Sequence, residues 1–275
     1  MVQRTRRYAL SVIRLYTTLS KSTVAQVLGR QLLRSATSVG AHYREACRAK
    51  SAADFVSKYF PGFYNIIPNG IDVERFSPQA PSLPQYQDDK LNILFLGRLE
   101  KRKGVGYLLR AYRIVKRVFP QVRLIIAGEG KLKEDYQRFV EKASLPDVVF
   151  TGYVPDQEIP SLYQSAHIFC APATGKESFG IVLLEAMALA KPVVATAIEG
   201  YSRVVTSGEE GILVEPQNED ALALALLQLL KDEALRQEMG AKGRIKALNH
   251  SWEHVSRRVM DYYQGLVREK APSIP

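Results

Sequence analysis

Short, apolar, β-rich runs that alternate with helical spacing most restrict what this chain can become. The runs lie at 92–96, 122–127, 148–152, 168–171, 193–196 and 211–214. Helical patterns fall between them near 104–118, 131–143, 157–165, 179–190 and 200–206. Strands covered on both faces read as unbroken apolar runs, and a strand–helix–strand series closes as a parallel sheet with helices on either side. The expected fold class is therefore α/β, a single Rossmann-like doubly wound parallel sheet. Further helical segments at 218–231, 233–248 and 251–268 close the chain. Such sheets bind ligands outside the carboxyl ends of their strands, so the loops after the strands are where chemistry is expected.

The loop after the first strand reads Gly97-Arg98-Leu99-Glu100-Lys101-Arg102-Lys103-Gly104. It sets glycines and four cations at a helix start, where unpaired N–H groups and the helix dipole favour a phosphate. The alternative is a solvated turn. The Gly-x-Gly-x-x-Gly fingerprint is absent there, which argues against a nicotinamide enzyme. The next loop, Gly128-Glu129-Gly130, either admits a ligand close to the backbone or is a simple tight turn. The third loop is the most informative. It runs from Pro172 through Glu177, Ser178, Phe179 and Gly180 into a helix carrying Ile181 and, two turns in, Glu185. Eight residues of helix advance about 800°, which returns the second carboxylate near the side of the first. One Glu then reaches each end of a ligand, with the amides near Phe179, Gly180 and Ile181 facing an anion. The plainer alternative is a helix cap and a buried hydrogen-bond acceptor. His250 and His254, four apart on a predicted helix, are a candidate metal pair with no third ligand, so a surface role is preferred and no metal is expected.

Taken together, these segments resemble the donor-binding domain of the retaining family-4 glycosyltransferases, which have two Rossmann-like domains. The likeness runs through Pro68-Asn69-Gly70-Ile71-Asp72, Arg75-Phe76, Gly97-Arg98, Lys103-Gly104, Ala127-Gly128-Glu129-Gly130, Phe150-Thr151-Gly152-Tyr153-Val154, and Glu177 with Glu185. The stretch 195–216 looks most like the branch that includes phosphatidylinositol mannosyltransferases. The resemblance implies a metal-independent retaining hexosyltransferase without a cofactor, whose substrate is a nucleotide-diphospho-sugar, GDP-mannose or a UDP-hexose. It implies that Arg98 and Lys103 bind the diphosphate and stabilise the leaving nucleotide. Glu177 would meet the sugar hydroxyls beside Ser178, Phe179, Gly180 and Ile181. Glu185 would hold the ribose, Tyr153 and Val154 would frame the base, and Gly97 and Gly128 would complete the donor site. Glu177, Arg98 and Lys103 are the implied catalytic residues, and the acceptor is a lipid or glycan hydroxyl. Family members carry an acceptor-binding domain before the segment matching Pro68. Here that domain is expected from another chain, so donor binding is expected and transfer by this chain alone is expected to be weak or absent.

Residues 1–58 differ in kind. They hold 11 Lys/Arg against Glu45 and Asp54, while 59–275 hold 27 basic and 26 acidic residues, so nearly all of the net charge of +10 lies in the head. Apolar spacing over 8–19, and the stripe Val24, Leu28, Leu32, Ala36, Val39 and Tyr43, predict an N-terminal helical hairpin. Leu28-Gly29-Arg30-Gln31-Leu32-Leu33-Arg34 and Ser38-Val39-Gly40-Ala41 resemble the first two helices of the four-helix-bundle proteins linked to rRNA intervening sequences. The expected domains are 1–58, a partial bundle, and 59–275, a donor-binding domain with its hinge segment and C-terminal helices, joined as a fusion. Arg30, Arg34, Arg44 and Arg48 offer nucleic-acid binding as the alternative function, beside a non-catalytic fusion remnant. Without aromatic interleaving or a base-reading motif, a solvated basic face is preferred. Helix 251–268, with Trp252, is expected to leave an apolar face bare or covered by the head. Separated Cys47 and Cys170, no apolar leader and no unbroken span predict a cytoplasmic protein that at most touches a membrane surface.

Overall fold

The computed structural model describes residues 68–175 and 177–270, the last eight through their backbone. The hairpin at 1–58 with its arginines and Cys47, and the expected covering of helix 251–268 by the head, lie outside the described residues. All six expected strands form: β1 Leu91–Leu96, β2 Val122–Ala127, β3 Val148–Gly152, β4 Ile168–Ala171, β5 Val193–Thr196 and β6 Gly211–Val214. Every pairing is parallel, in the order β3-β2-β1-β4-β5-β6. The order reverses between β1 and β4. Connections leaving those two strands turn to opposite faces, which opens a crevice at their carboxyl ends.

The helices are α1 Val105–Val118, α2 Lys133–Lys142, α3 Ile159–Gln164, α4 Ile181–Ala188, α5 Glu199–Ser202, α6 Glu219–Lys231, α7 Glu233–Leu248 and α8 Trp252–Lys270. Alternation along each strand divides the core. Leu94, Ile125, Phe169, Val193 and Ala195 point to one face, where Leu162 and Tyr163 of α3 and Leu183 and Met187 of α4 cover them. Ile93, Phe95, Leu124, Ile126, Cys170 and Val194 point to the other, beneath α1 and α6. Helix α1 meets the sheet with Val105, Leu108, Leu109, Tyr112 and Val115, the three-and-four spacing of a single buried stripe. Helix α6 starts where the Asn218 side chain accepts from the Ala221 N–H at 2.9 Å, and α7 where Asp232 accepts from the Leu235 N–H at 2.9 Å. Burial pushes the Cys170 thiol well above its usual range, which suits a packing residue.

Two elements differ from expectation. Helix α4 begins at Ile181 rather than 179, because Gly180 takes the left-handed region with φ 83° and ends the loop there. The segment expected as a helix over 200–206 is the single turn α5. The histidine pair is also corrected. His250 precedes α8 in the turn after α7 and bonds the Lys246 carbonyl through Nδ1, while His254 Nδ1 meets Ser251 Oγ at 2.7 Å. They share no helical face. Helix α8 leaves Trp252, Met260 and Tyr262 exposed. No helix among the described residues is long and apolar enough to cross a membrane.

The carboxyl edge is held by backbone lying on backbone. At Gly104, φ 75°, an added Cβ would sit 1.8 Å from the Pro172 carbonyl oxygen. Gly104→Ala should therefore destabilise the protein by about 2 kcal/mol or more, through both left-handed strain and forced separation of the two loops. Urea unfolding followed by circular dichroism should show a lower midpoint with an unchanged slope.

Candidate functional site

The crevice is walled by the loops after β1, β2 and β4. Gly97 donates its N–H to the Ala127 carbonyl at 3.0 Å, and Leu99 donates to the Glu129 carbonyl at 2.9 Å, so the first loop lies along the second. At Gly128 a Cβ would stand 2.1 Å from the Gly97 carbonyl oxygen, and at Gly130 about as close to Leu99. These glycines serve loop-on-loop packing. The Thr174 N–H donates to the Arg102 carbonyl at 2.8 Å, tying the third loop to the first. Gly200 of α5 packs against the Glu177 carbonyl, where a Cβ would come within 2.1 Å.

This packing sets an alternating line of charges. Arg98 Nη1 meets Glu100 Oε1 at 2.9 Å, and Arg102 Nε meets Glu100 Oε2 at 3.0 Å. Arg102 Nη1 pairs with Glu177 Oε1, and Lys103 Nζ reaches the same oxygen at 2.9 Å. Glu177 and Lys103 are largely buried, whereas Arg98 is open to solvent. Beside this line, α1 and α4 begin at Gly104 and Gly180, both left-handed and both without a side-chain cap. Their first N–H groups need a partner, and an anion supplies one. Cations, uncapped helix starts and a carboxylate in one crevice can hold a diphosphate next to a polyhydroxylated group.

Glu185 stands apart from Glu177. It is one turn into α4, not two, and Glu177 precedes the helix, so the argument from helical rotation does not hold. The left-handed Gly180 redirects the chain between them. Glu185 Oε2 accepts from the Tyr163 hydroxyl at 2.8 Å. Burial raises its carboxyl above the usual range, against the lowering effect of the Tyr163 hydrogen bond and of Arg75. Arg75 itself donates to the Asp156 carbonyl. Tyr153 is 73% exposed. With Val154 it lines a cavity of about 290 Å³ whose other walls include Leu83, Tyr86, Thr151 and Glu158. Ser178 is exposed and Phe179 packs against the core.

Sequence reasoning left Arg102, Glu100, Arg75 and Tyr163 outside the site. Arg102 was visible only as one of four neighbouring cations, and nothing local marked Tyr163 as the partner of Glu185. Other perturbed groups lie at the opposite edge of the sheet. Burial lowers His167 to about 4, and Lys191 to about 8. His167 Nδ1 accepts from the Asn92 N–H at 2.9 Å, a bond that needs Nδ1 without its proton. Among the described residues, no group of three or more metal-ligating side chains gathers.

Residues 81–246 match the family model described as glycosyl transferases group 1. A phosphatidyl-myo-inositol mannosyltransferase of Mycolicibacterium smegmatis is 38% identical over 199 residues, which cover 72% of this chain and 51% of that protein. A D-inositol 3-phosphate glycosyltransferase of Paenarthrobacter aurescens is 33% identical, covering 74% of this chain and 52% of its own length. The chain thus spans about half the length of the curated relatives it matches. Among solved structures, a sucrose-phosphate synthase of Thermosynechococcus elongatus superposes with a TM-score of 0.70 at 27% identity, over 81% of this chain and 58% of that one. The C-terminal domain of a group 1 glycosyl transferase from Francisella tularensis superposes at 0.61 with 29% identity, over 66% of this chain and 97% of that one.

The raised Glu185 carboxyl has a definite sign in stability. The native state holds this proton to higher pH than the unfolded chain does, so stability falls as pH rises from the ordinary glutamate range through the raised value. Glu185→Gln, which can still accept from Tyr163, should remove that component. Unfolding midpoints of wild type and variant should converge at low pH and separate in the variant's favour toward neutrality.

Proposed function

The chain belongs to the group 1 glycosyl transferases, and on that premise we propose that the crevice between β1 and β4 binds a nucleotide-diphospho-sugar, GDP-mannose or a UDP-hexose, for retaining sugar transfer. The observation that carries this reading is the meeting of Arg98, Arg102, Lys103 and Glu177 with the uncapped starts of α1 and α4. In this reading Arg98 and Lys103 bind the two phosphates. As the glycosidic bond breaks, negative charge grows on the departing diphosphate, and fixed cations and N–H dipoles stabilise it there. Lys103 must exchange its bond to Glu177 for one to phosphate. That exchange leaves Arg102 on Glu177 Oε1, and the Glu177 carboxylate meets the sugar hydroxyls beside Ser178, Phe179, Gly180 and Ile181.

Glu185 accepts from the ribose hydroxyls, a role that favours the ionised form, and Tyr163 steadies it. Tyr153 and Val154 frame the base at the cavity mouth. Gly97 and Gly128 let the first two loops lie close enough to shape the phosphate end. The acceptor is a lipid or glycan hydroxyl. The identity to a phosphatidyl-myo-inositol mannosyltransferase supports a lipid headgroup reached at the cytoplasmic membrane surface.

Isothermal titration calorimetry with GDP-mannose and UDP-glucose tests the reading. Wild type should bind one of them, and Lys103→Ala should weaken that binding by about tenfold or more, the usual loss for a charge-assisted phosphate contact. Glu185→Ala should weaken it as well. Binding of neither donor, or equal binding by both variants and wild type, would refute the assignment.

A further inference from the structure

Glu100 is an odd neighbour for a phosphate site. It places a carboxylate among four cations where negative charge should repel the ligand. Its geometry gives it a purpose. The Leu99 N–H is fixed to the Glu129 carbonyl, and the Glu100 carbonyl accepts from the Lys103 N–H at 3.0 Å, so the Glu100 side chain leaves a backbone held at both ends. Its two oxygens are divided, Oε1 to Arg98 and Oε2 to Arg102, and each engages a single nitrogen of its arginine. The other N–H groups of Arg98 stay open to a ligand. Arg98 is 69% exposed, so without a tether its four rotatable bonds would be ordered only at the moment of binding.

Resting on the diphosphate reading above, we propose that Glu100 is the positioning residue of the anion site, one carboxylate that aims the Arg98 guanidinium at the diphosphate before it arrives and holds that of Arg102 beside it. Arg102 extends the same brace to Glu177, so the aim of the phosphate end and of the sugar end is set by one chain of ion pairs. A guanidinium presents its donors as a rigid planar fork, so fixing one nitrogen fixes the directions of the rest.

Positioning and bulk charge make opposite forecasts for Glu100→Gln. Removing a negative charge from a cationic crevice should tighten anion binding if charge alone mattered. Loss of preorganisation should weaken it. The full 275-residue chain is titrated with GDP and with UDP at fixed ionic strength, as wild type, E100Q, R98A and the E100Q/R98A double variant. The expected result is that E100Q binds the preferred diphosphate about tenfold more weakly, with an unchanged thermal midpoint. Its effect should shrink in the R98A background, because part of it acts through Arg98. Equal or tighter binding by E100Q overturns the proposal, as do additive losses in the cycle or a weaker affinity accompanied by a lowered midpoint. If E100Q binds like wild type while K103A is impaired, positioning fails and the site reading stands. Wild type binding neither nucleotide overturns both.

Discussion

The carboxyl edge of this sheet depends on backbone packed directly on backbone. Gly104 lies on Pro172, Gly128 on Gly97, and Gly200 on Glu177, each at a separation that no side chain would fit. These contacts bring three loops from three strands into one crevice without intervening side chains. Only then does Glu177, 75 residues after Arg102, become a neighbour of the cations of the first loop. A substitution at one of these glycines acts on the whole crevice, since moving one loop displaces the charges on the next.

Cations do not gather without cause. Three of the first loop's cations lie in ion pairs with two carboxylates, so the line alternates in sign from Arg98 to Lys103. The solvent-exposed Arg98–Glu100 pair contributes little to stability by itself. The value of these pairs is geometric, because they hold long side chains in place before a ligand pays their ordering entropy. The pairs are also exchangeable, and a diphosphate offers Lys103 a stronger partner than the shared Glu177 oxygen.

Much of this was readable in the residues. Strands β2 to β6 begin and end where their apolar runs do, because turn residues and polar breaks bound each run. The parallel doubly wound sheet followed from the alternation of strands and helices, and that made the loops after the strands the places to look. The site was legible as a neighbourhood and less so as a geometry. Glu177 and Glu185 were joined by a helical rotation that Gly180 interrupts, since a left-handed glycine leaves no mark in periodicity. Arg102 is indistinguishable from Lys101 in a run of charge, and only the tight turn Lys101–Lys103 decides which of them faces Glu177. Tyr163 lies 22 residues before Glu185. No local pattern pairs a buried carboxyl with a hydroxyl on another helix.

The central claim is that three interlocked loops make one anion-binding crevice at the β1–β4 reversal. Backbone amide shifts, followed by NMR while GDP or UDP is added, test it most directly. The account expects saturable shifts at 97–106 and 174–182, with the opposite edge around His167 and Lys191 unmoved. Shifts confined to that opposite edge, or to the groove formed by Glu210, Lys242 and Lys246, or no shifts with either nucleotide, would contradict it.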